Sequence, residues 1–479
     1  MKVVLIRPPD PMGMVDVLSH VLPTNLGYIA STILQKGFDA EIWDYEQARF
    51  VEKEFLKRIQ QTSPKIVGMS CMTPTIINGH KIATLIKKYF PHIVTVVGGA
   101  HSSALPEQTL REFAHFDLIV NQEGEDTFAQ VCQRLKEGST FEGLEGITRR
   151  DGEEIIKERP RRFIADLDKL PFPARHLYQN PIQNRTKMRG HFARGFSNAI
   201  PSTEIFTSRG CPYKCTFCAI VSTFNRSLRF RSPESVFEEI REVKQKFNIQ
   251  HIIIADDTFG LKKGRIETLC EGFSKLGLLS WNCDTRTDCV DKTILKAMKA
   301  SGCTKVTLGI ETGSKRVIDL NMKKIKLERV RDAVRWANEV GIKNIEGNFI
   351  IGSHPDETLE DLKMTENLIR ELPLTFVSIS ILVPYPGTPN FELMKQNGQI
   401  LSEDWSKYVM FGQKPVWKTT HFSSESLVKH QQRLNKIFYL NPRYMMRMLL
   451  RIRSLKELSY YGKAGTTFIK WAFSDGVIL

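Results

Sequence analysis

The sequence predicts an α/β protein in which a doubly wound, Rossmann-like domain precedes a partial TIM-type (β/α)6 barrel and a small helical C-terminal region. Short apolar runs alternate with amphipathic stretches in residues 1–145 and again in residues 201–395. A connector, residues 146–200, has its clearest boundary signal at residues 166–173, which contain Pro171 and Pro173, and then becomes polar and Arg-rich. The last stretch, residues 396–479, is basic and bears aromatic residues, which indicates helices.

The bulk properties limit what the chain can be. Its 479 residues exceed one ordinary core, while 41% hydrophobic and 25% charged residues are typical of globular proteins. A net charge of +15 favours anionic partners such as a phosphorylated substrate or an acidic membrane surface. Nucleic acid is not expected as a partner, because no basic run alternates with aromatic residues.

The location expected from the sequence is the cytoplasm. The apolar run at residues 3–6 is too short for a signal peptide, and no stretch reaches the roughly 20 apolar residues that span a bilayer. Nine cysteines without an export signal indicate free thiols and metal ligation. Six scattered cysteines are expected to be small buried hydrophobes: Cys71, Cys132, Cys270, Cys283, Cys289 and Cys303.

The first region is predicted to form a parallel sheet wrapped by helices. The strands are residues 3–6, 40–43, 66–70, 94–97 and 118–120, and the helices include residues 26–35, 77–88 and 127–135. Ligands bind outside the carboxyl ends of such strands. The loops there are rich in turn residues, and Gly98 and Gly99 would let the backbone approach a bulky ligand.

The second region repeats the alternation six times, which predicts a barrel or partial barrel. Its strands are residues 204–207, 251–255, 282–285, 306–310, 347–351 and 377–382. Chemistry in such a barrel takes place on the loops at the carboxyl ends of the strands. A loop with three cysteines directly follows the first of these strands.

This loop carries the strongest chemical signal in the chain. Cys211, Cys215 and Cys218 lie close enough in sequence to face one inorganic centre. Structural zinc would need a fourth ligand at similar spacing, and here it would have to be remote. A 4Fe-4S cluster is usually held by four cysteines, so three thiolates would leave one iron open to a reactant.

The spacing Cys-x3-Cys-x2-Cys, with Phe217 before the last cysteine, resembles the radical S-adenosylmethionine (radical SAM) superfamily. The resemblance implies that Cys211, Cys215 and Cys218 hold a 4Fe-4S cluster. In that superfamily the open iron chelates S-adenosylmethionine, and one-electron reduction releases a 5′-deoxyadenosyl radical that abstracts hydrogen from carbon. The reductant implied is an external protein such as flavodoxin or ferredoxin.

The resemblance also implies cofactor contacts at the ends of the later barrel strands. Arg286 is expected to pair with the carboxylate of S-adenosylmethionine. The other residues implied to bind it are Phe217, Asp256, Asp257, Glu311, Gly347 and Gly352.

The first region resembles the cobalamin-binding domain that precedes the radical barrel in one large subfamily. The matching segments are Leu26-Gly27-Tyr28-Ile29-Ala30, Val67-Gly68-Met69-Ser70, Val97-Gly98-Gly99-Ala100-His101 and Glu123-Gly124-Glu125. The resemblance implies that cobalamin binds at Pro9, Ser70, Cys71, Thr73, Gly98, Gly99, His101, Glu123 and Gly124.

The ligand below the cobalt is left open by the sequence. The motif Asp-x-His-x-x-Gly, which supplies a histidine to cobalt in many cobalamin domains, is absent from this chain. Members of the radical subfamily commonly lack it as well. Cys71, Met72 and Thr73 lie on a loop that could approach this face.

The function implied is a cobalamin-dependent radical SAM methyltransferase that methylates an unactivated carbon of a small or lipid-like metabolite. A cyclase or rearrangement enzyme without methyl transfer is the alternative. A tRNA-modifying methylthiotransferase is disfavoured, because only Cys71 and Cys132 precede residue 150 and could serve a second cluster. A non-catalytic corrinoid carrier or sensor is also disfavoured, because the barrel with its cysteine loop would then have no use.

The C-terminal region raises a separate question about contacts. Residues 444–453 combine apolar and cationic side chains, which predicts a helix with one apolar face. This helix is expected to dock against the barrel, with peripheral contact to a membrane or a lipid-like substrate as the alternative.

Overall fold

A computed structural model describes residues 1–11, 22–179, 201–278, 280–410 and 414–452, together with the single positions 459, 462 and 466. It contains two large sheets in succession, one of seven strands and one of six. The predicted fold class, a doubly wound sheet followed by a partial barrel, is confirmed. The predicted division of the chain at residues 145, 200 and 395 stays a prediction.

The first sheet has the strand order β2-β1-β3-β4-β5-β6-β7. Five strands are parallel: β1 (Lys2–Arg7), β2 (Asp39–Asp44), β3 (Ile66–Ser70), β4 (Val94–Gly98) and β5 (Leu118–Val120). An antiparallel hairpin of β6 (Ile147–Asp151) and β7 (Glu154–Lys157) extends the edge beyond β5. This hairpin was not among the predicted strands, and it extends the sheet past the predicted boundary at residue 145.

Helices cover both faces of this sheet, and their apolar sides form two separate cores. The helices are α1 (Thr24–Gln35), α2 (Glu52–Thr62), α3 (Ile76–Tyr89), α4 (Ala100–Ala104), α5 (Pro106–Glu112) and α6 (Glu125–Glu137). The order 2-1-3-4-5 reverses direction between β1 and β3, and ligands bind outside the strand ends at such a reversal.

The connector lies between the two sheets and is held by buried charges. Arg175 donates to Glu239 Oε1 at 2.6 Å and to the carbonyl of Glu204 at 2.7 Å. Arg231 donates to the other oxygen of Glu239. Tyr178 packs so closely on α1 that a Cβ added at Gly27 would lie 2.0 Å from its hydroxyl oxygen. These contacts fix the second sheet against the first.

The second sheet is a partial barrel of six parallel strands in sequential order. The strands are β8 (Ser202–Ile205), β11 (His251–Phe259), β12 (Ser280–Arg286), β13 (Cys303–Glu311), β14 (Asn344–Ile351) and β15 (Phe376–Ile381). A two-stranded ladder of β9 (Ser208–Arg209) and β10 (Arg229–Phe230) stands beside β8.

The barrel helices are positioned by caps that the sequence encodes. They are α7 (Ile220–Phe224), α8 (Pro233–Phe247), α9 (Lys263–Lys275), α10 (Lys292–Ala300), α11 (Lys315–Leu320), α12 (Leu327–Glu339), α13 (Leu359–Glu371) and α14 (Pro389–Gln396). The hydroxyl of Ser232 accepts from the N–H of Ser235 at the start of α8, with Pro233 in the first turn. Thr358 and Asp361 form a capping box at the start of α13.

Side chains alternate along the barrel strands between an apolar outer layer and a polar interior. On β13, Val306, Leu308 and Ile310 belong to the core beneath the helices. Lys305 and Thr307 therefore point to the barrel interior, where Lys305 forms an ion pair with Glu346 of β14.

The chain after α14 does not form helices at once. Trp405 packs against the first sheet's helices, and its indole N–H donates to Glu112 Oε2 of α5 at 2.9 Å. Helix α15 (Ser424–Tyr439) then packs on β15, and α16 (Pro442–Leu449) follows it. In the described part of the chain, no helix has the length and apolar character needed to cross a membrane.

Candidate active site between the two sheets

The three-cysteine loop leaves the carboxyl end of β8. Cys211, Cys215 and Cys218 are all half-buried free thiols. The loop and helix α7 together lead the chain to β10. In the two-stranded ladder, Arg229 of β10 lies opposite Arg209 of β9. The ladder therefore closes the base of the loop.

Asp256 holds the first residues of this loop rather than facing open space. Its carboxylate accepts from the N–H and hydroxyl of Thr207, both at 2.6 Å, and from the N–H and hydroxyl of Ser208, at 3.0 and 2.7 Å. Asp256 is buried, so these four donors replace the water that its carboxylate loses. Its oxygens are thus engaged by the loop, whereas the sequence analysis predicted a cofactor contact.

Asp257 fixes the residue immediately before the first cysteine. Its carboxylate accepts from the N–H of Gly210 at 2.8 Å. Gly210 has φ +84, and a Cβ there would lie 2.0 Å from the carbonyl oxygen of Ser227. Only glycine allows this turn, because other residues would meet both backbone strain and a clash.

Arg286 lies beside the loop, as expected for a residue at the end of β12. Its guanidinium carbon is 3.5 Å from the ring centre of Tyr213, and Nη1 lies 4.0 Å from Cys215 Sγ. Asp288 accepts from it twice, both at 2.9 Å. The cation is therefore held against the cysteine loop with one face already covered by an aromatic ring.

Glu311 and a lysine that the sequence analysis missed form a buried ion pair at the end of β13. Lys323 Nζ lies 2.5 Å from Glu311 Oε1 and 5.9 Å from the ring centre of Phe217. Glu311 adopts φ +68, an uncommon backbone region for a residue other than glycine. The signal available in the sequence was the pair Lys323-Lys324 after α11, which belongs to no apolar pattern.

Two glycines predicted to line the cofactor face away from the barrel interior. A Cβ at Gly347 would meet Leu374 and Ile310 in the outer core, and a Cβ at Gly352 would meet Leu427 of α15. The alternation of β14 sets the orientation of Gly347, since Phe349 and Ile351 belong to the same outer core, whereas Gly352 follows the end of the strand. Asn348 occupies the neighbouring inward position.

The thiols suit a metal centre chemically. Burial raises the pKa of Cys218 to about 11 and also raises that of Cys215. Metal binding deprotonates such groups and supplies the positive charge that burial denies them. No three His, Cys, Asp or Glu side chains among the described residues converge on one metal ion. A 4Fe-4S cluster does not require that convergence, since each thiolate ligates a different iron.

A cavity of about 320 Å³ opens at the carboxyl ends of β1, β3, β4 and β5. Five of the residues predicted to bind cobalamin line it: Ser70, Gly98, Gly99, Glu123 and Gly124. The cavity depends on small residues, because a Cβ at Gly68 would lie 3.0 Å from Phe128 and one at Gly124 would lie 3.2 Å from Ile29. Glycines in this wall allow a ligand to approach the backbone closely.

Four predicted residues do not border this cavity. The carbonyl of Pro9 accepts a hydrogen bond from Asn78, and Cys71 and Thr73 are buried. His101 is also buried, and its ring packs edge-on against Trp405 with centroids 5.0 Å apart. Burial lowers the pKa of His101 to about 4.

Cys71, Met72 and Thr73 were predicted to lie on a loop that could approach the lower face of the cobalt. Of these three residues, Met72 borders the cavity. Its side chain is 57% exposed, although the residues on either side are buried. An extended backbone at Met72 turns its side chain away from those two neighbours.

The second sheet completes the wall of the same cavity. Phe206, Ser208, Arg209, Phe224 and Asp257 line it from the side of the cysteine loop. Arg209 donates to Glu123 at 2.9 Å and to Glu125 at 2.6 Å, so the two sheets meet in an ion pair at the wall. Gly210 is the one residue between Arg209, at the cavity wall, and Cys211, the first of the three cysteines.

Comparison with known proteins agrees with this arrangement. Residues 205–369 match the Radical SAM superfamily and residues 13–132 match the B12 binding domain. An uncharacterized methyltransferase of Pyrococcus horikoshii is 31% identical over 93% of this chain and 94% of its own length. Cytidylyl-2-hydroxyethylphosphonate methyltransferase of Streptomyces wedmorensis is 26% identical over 82% of this chain and 81% of its own.

Solved structures share the fold. The cobalamin-dependent S-adenosylmethionine radical enzyme OxsB superimposes with a TM-score of 0.74 at 18% identity, over 98% of this chain and 71% of its own. TsrM, a radical S-adenosylmethionine methyltransferase from Kitasatospora setae, gives a TM-score of 0.70 at 17% identity, over 90% of this chain and 88% of its own.

The two sheets, the three-thiol loop and the shared cavity define a two-domain metalloenzyme in which a radical barrel follows a corrinoid-binding sheet. The chain belongs to the cobalamin-binding radical S-adenosylmethionine family. Enzymes of this family use a 4Fe-4S cluster, S-adenosylmethionine and cobalamin.

Proposed function

We propose that the protein is a methyltransferase that methylates an unactivated carbon of a small polar metabolite. The observation that carries the proposal is the cavity whose wall is built from both sheets, with Gly98 and Gly124 on one side and Ser208 and Asp257 on the other. A methyl carrier and a radical source have to reach the same substrate carbon, and a shared wall keeps the two sites adjacent.

The residue roles follow from the contacts. Cys211, Cys215 and Cys218 are proposed to hold the cluster, and the glycine-lined cavity is proposed to hold cobalamin. When bound, the cluster delivers the electron that cleaves S-adenosylmethionine to methionine and a 5′-deoxyadenosyl radical, and cobalamin carries the methyl group. Asp256 and Asp257 act as positioning residues, because their carboxylates bind the backbone of the loop.

Arg286 and Lys323 are proposed to attract the carboxylate of S-adenosylmethionine. Both cations are nearly buried and already paired, Arg286 with Asp288 and Lys323 with Glu311. Arg286 lies 4.0 Å from Cys215 Sγ, so its charge stands beside the proposed cluster. Pairing fixes the positions of these cations. A fixed cation loses little conformational entropy on binding an anion, because its side chain is already ordered.

The barrel interior favours a polar substrate over a lipid-like one. Asp284 lies on β12 between Asn282 and Arg286, on the inward face, and it is exposed. No described residue donates a hydrogen bond to its carboxylate. Thr307, Asn348, Ser378 and Ser380 share the inward face of the neighbouring strands. A substrate with hydroxyl or amino groups would supply Asp284 with hydrogen-bond donors, whereas an apolar one would leave its carboxylate unpaired.

The partners proposed are this metabolite and an external one-electron donor such as flavodoxin or ferredoxin. The cytoplasm is the proposed location, because the nine cysteines are free thiols and an oxygen-sensitive cluster needs a reducing compartment. Peripheral membrane contact through α16 is a lesser proposal. It is supported by the exposed side chains of Met445, Met446, Leu449 and Leu450.

The proposal is tested with the anaerobically reconstituted enzyme, reduced flavodoxin as the one-electron donor, hydroxocobalamin and S-adenosylmethionine that carries a trideuterated methyl group. Incubation with a metabolite extract of the source cells is expected to yield 5′-deoxyadenosine and a compound heavier by one trideuteromethyl group. Asp284→Asn is expected to lose the labelled compound. Formation of 5′-deoxyadenosine with a changed but unlabelled compound would contradict methyl transfer.

A cyclase is the second candidate, and one comparison favours it. Anaerobic magnesium-protoporphyrin IX monomethyl ester cyclase of Cereibacter sphaeroides is 25% identical over 85% of this chain and 66% of its own length. The methyltransferase of Pyrococcus horikoshii is more similar and matches nearly the full length of both chains. The labelling experiment separates the two, since a cyclase leaves the methyl label out of its product.

A further inference from the structure

Arg209 joins the proposed cobalamin cavity to the cysteine loop. Its two terminal nitrogens each donate to a different carboxylate of the first sheet, Glu123 at 2.9 Å and Glu125 at 2.6 Å. Its guanidinium also lies 4.8 Å from the ring centre of Tyr28 in α1. All four residues border the cavity.

The charges of this cluster balance only when the two sheets are together. Glu123 accepts from Arg229 as well as from Arg209, so two carboxylates meet two guanidinium groups. Their side chains are between 6% and 11% exposed. Removal of one cation would leave a nearly buried, uncompensated carboxylate, which is strongly unfavourable.

The segment that bears Arg209 leads directly into the cluster loop. Gly210 follows it, fixed by Asp257 on one side and by the carbonyl of Ser227 on the other, and Cys211 comes next. A shift of the Arg209 backbone is therefore transmitted to Cys211, the first proposed cluster ligand, because the turn at Gly210 is held on both sides and cannot absorb the movement.

We infer that Arg209 is a positioning residue that couples the two cofactor sites, so that filling the cavity with cobalamin strengthens binding of the adenosyl cofactor at the cluster loop. This inference rests on the proposed function, which assigns the cavity to cobalamin. Linkage requires the effect to be reciprocal: the adenosyl cofactor strengthens cobalamin binding by the same factor.

The experiment measures this coupling in the cluster-loaded full chain under anaerobic conditions. S-adenosylhomocysteine is titrated by calorimetry with and without saturating hydroxocobalamin, since it has no methyl group to transfer. The ratio of the two dissociation constants is the coupling factor. We expect about tenfold in the unchanged protein and less than about twofold in Arg209→Gln. The electron paramagnetic resonance spectrum of the reduced cluster is expected to respond to hydroxocobalamin only in the unchanged protein.

Two further variants make the test specific. Glu125→Gln leaves Arg209 paired with Glu123, so a reduced but measurable coupling is expected even if Arg209→Gln does not fold. Arg175→Gln is the matched control, because Arg175 is also a buried interface arginine paired with a carboxylate, and it does not border the cavity. It is expected to lower the unfolding temperature and to retain the coupling factor.

The outcomes separate the inference from the proposed function. Failure of the unchanged protein to bind hydroxocobalamin would overturn both. If each ligand binds with the same affinity in the presence and in the absence of the other, the inference alone is overturned. Retention of the full factor in Arg209→Gln and Glu125→Gln, or its equal loss in Arg175→Gln, would likewise overturn the role of Arg209.

Discussion

The hydroxyl and the N–H of Thr207 both donate to the carboxylate of Asp256, each at 2.6 Å. Thr207 stands at the start of the cysteine loop, and Asp256 stands near the end of the neighbouring strand β11. The cysteine loop is thus anchored by a strand that carries none of the cysteines, and the buried carboxylate of Asp256 makes most of the hydrogen bonds to its first residues.

Asp256→Asn is expected to impair cluster assembly. The amide can accept from the two backbone N–H groups and donate to the two hydroxyls, but all four hydrogen bonds then lose the assistance of the carboxylate charge. We expect destabilisation by about 3 kcal/mol and a clear drop in iron and sulfide content after reconstitution. Urea unfolding and iron analysis measure these effects.

The control for that experiment is Asp332→Asn, which removes an exposed ion pair with Arg335 on α12. It is expected to change stability by less than about 1 kcal/mol and to leave the iron content unchanged. Full iron content in Asp256→Asn would show that the loop does not need this anchor.

Replacing any of Cys211, Cys215 or Cys218 with alanine is expected to abolish the visible absorbance of the cluster while hydroxocobalamin binding persists. The proposed ligands belong to the loop, whereas most of the cavity wall belongs to the first sheet. Cys289→Ala is the matched control, since its thiol lies 3.6 Å from the hydroxyl of Tyr213 in the same loop. Cluster absorbance should survive in Cys289→Ala, and its loss there would point to a different ligand set.

Gly99→Ala is expected to weaken cobalamin binding at least about tenfold, which corresponds to about 1.4 kcal/mol. Gly99 has φ +102, and a Cβ there would lie 2.4 Å from the carbonyl oxygen of Cys71. The loop that borders the cavity would have to move. Titration of hydroxocobalamin by absorbance measures the effect.

Gly143→Ala is the control that separates backbone strain from steric clash in that experiment. Gly143 has φ +69, but a Cβ there meets nothing within 4 Å and the residue is remote from the cavity. It should cost about 1 kcal/mol of stability and leave the affinity for hydroxocobalamin as it was. Equal affinities in both variants would rule out the cavity as the cobalamin site.

Stability is expected to fall between pH 7 and pH 5 because of His101. Burial lowers the pKa of His101 to about 4 from an ordinary value of 6.5, so the unfolded chain binds its proton first as the pH falls. The loss at pH 5 is about 2 kcal/mol. Urea unfolding of the protein and of His101→Gln at both pH values measures it, and an equal loss in the variant would assign the effect to other groups.

The sequence predicted the strands and the order of the two sheets because their signals are local. Residues 66–70 form an apolar run that fits a strand buried on both faces, and β3 occupies those positions. The hairpin of β6 and β7 escaped prediction, since its burial is partial and its polar residues resemble a connector.

The candidate site was only partly predictable. The spacing of Cys211, Cys215 and Cys218 is a property of one loop and can be read directly. The pairing of Lys323 with Glu311 joins residues on different elements, and the outward direction of Gly347 depends on the register of β14. Neither follows from local pattern, because a one-residue change of register would reverse every side chain on the strand.

The sequence by itself determined the kind of chemistry, since three thiols at fixed spacing and a glycine-bearing parallel sheet are local facts. Only the tertiary structure decided how the two sites meet. Arg209 and Glu125 are 84 residues apart in the chain, yet they form a 2.6 Å hydrogen bond at a shared wall. Such a contact is set by the packing of one sheet on the other, because burying opposite charges is favourable only when both arrive at the same place.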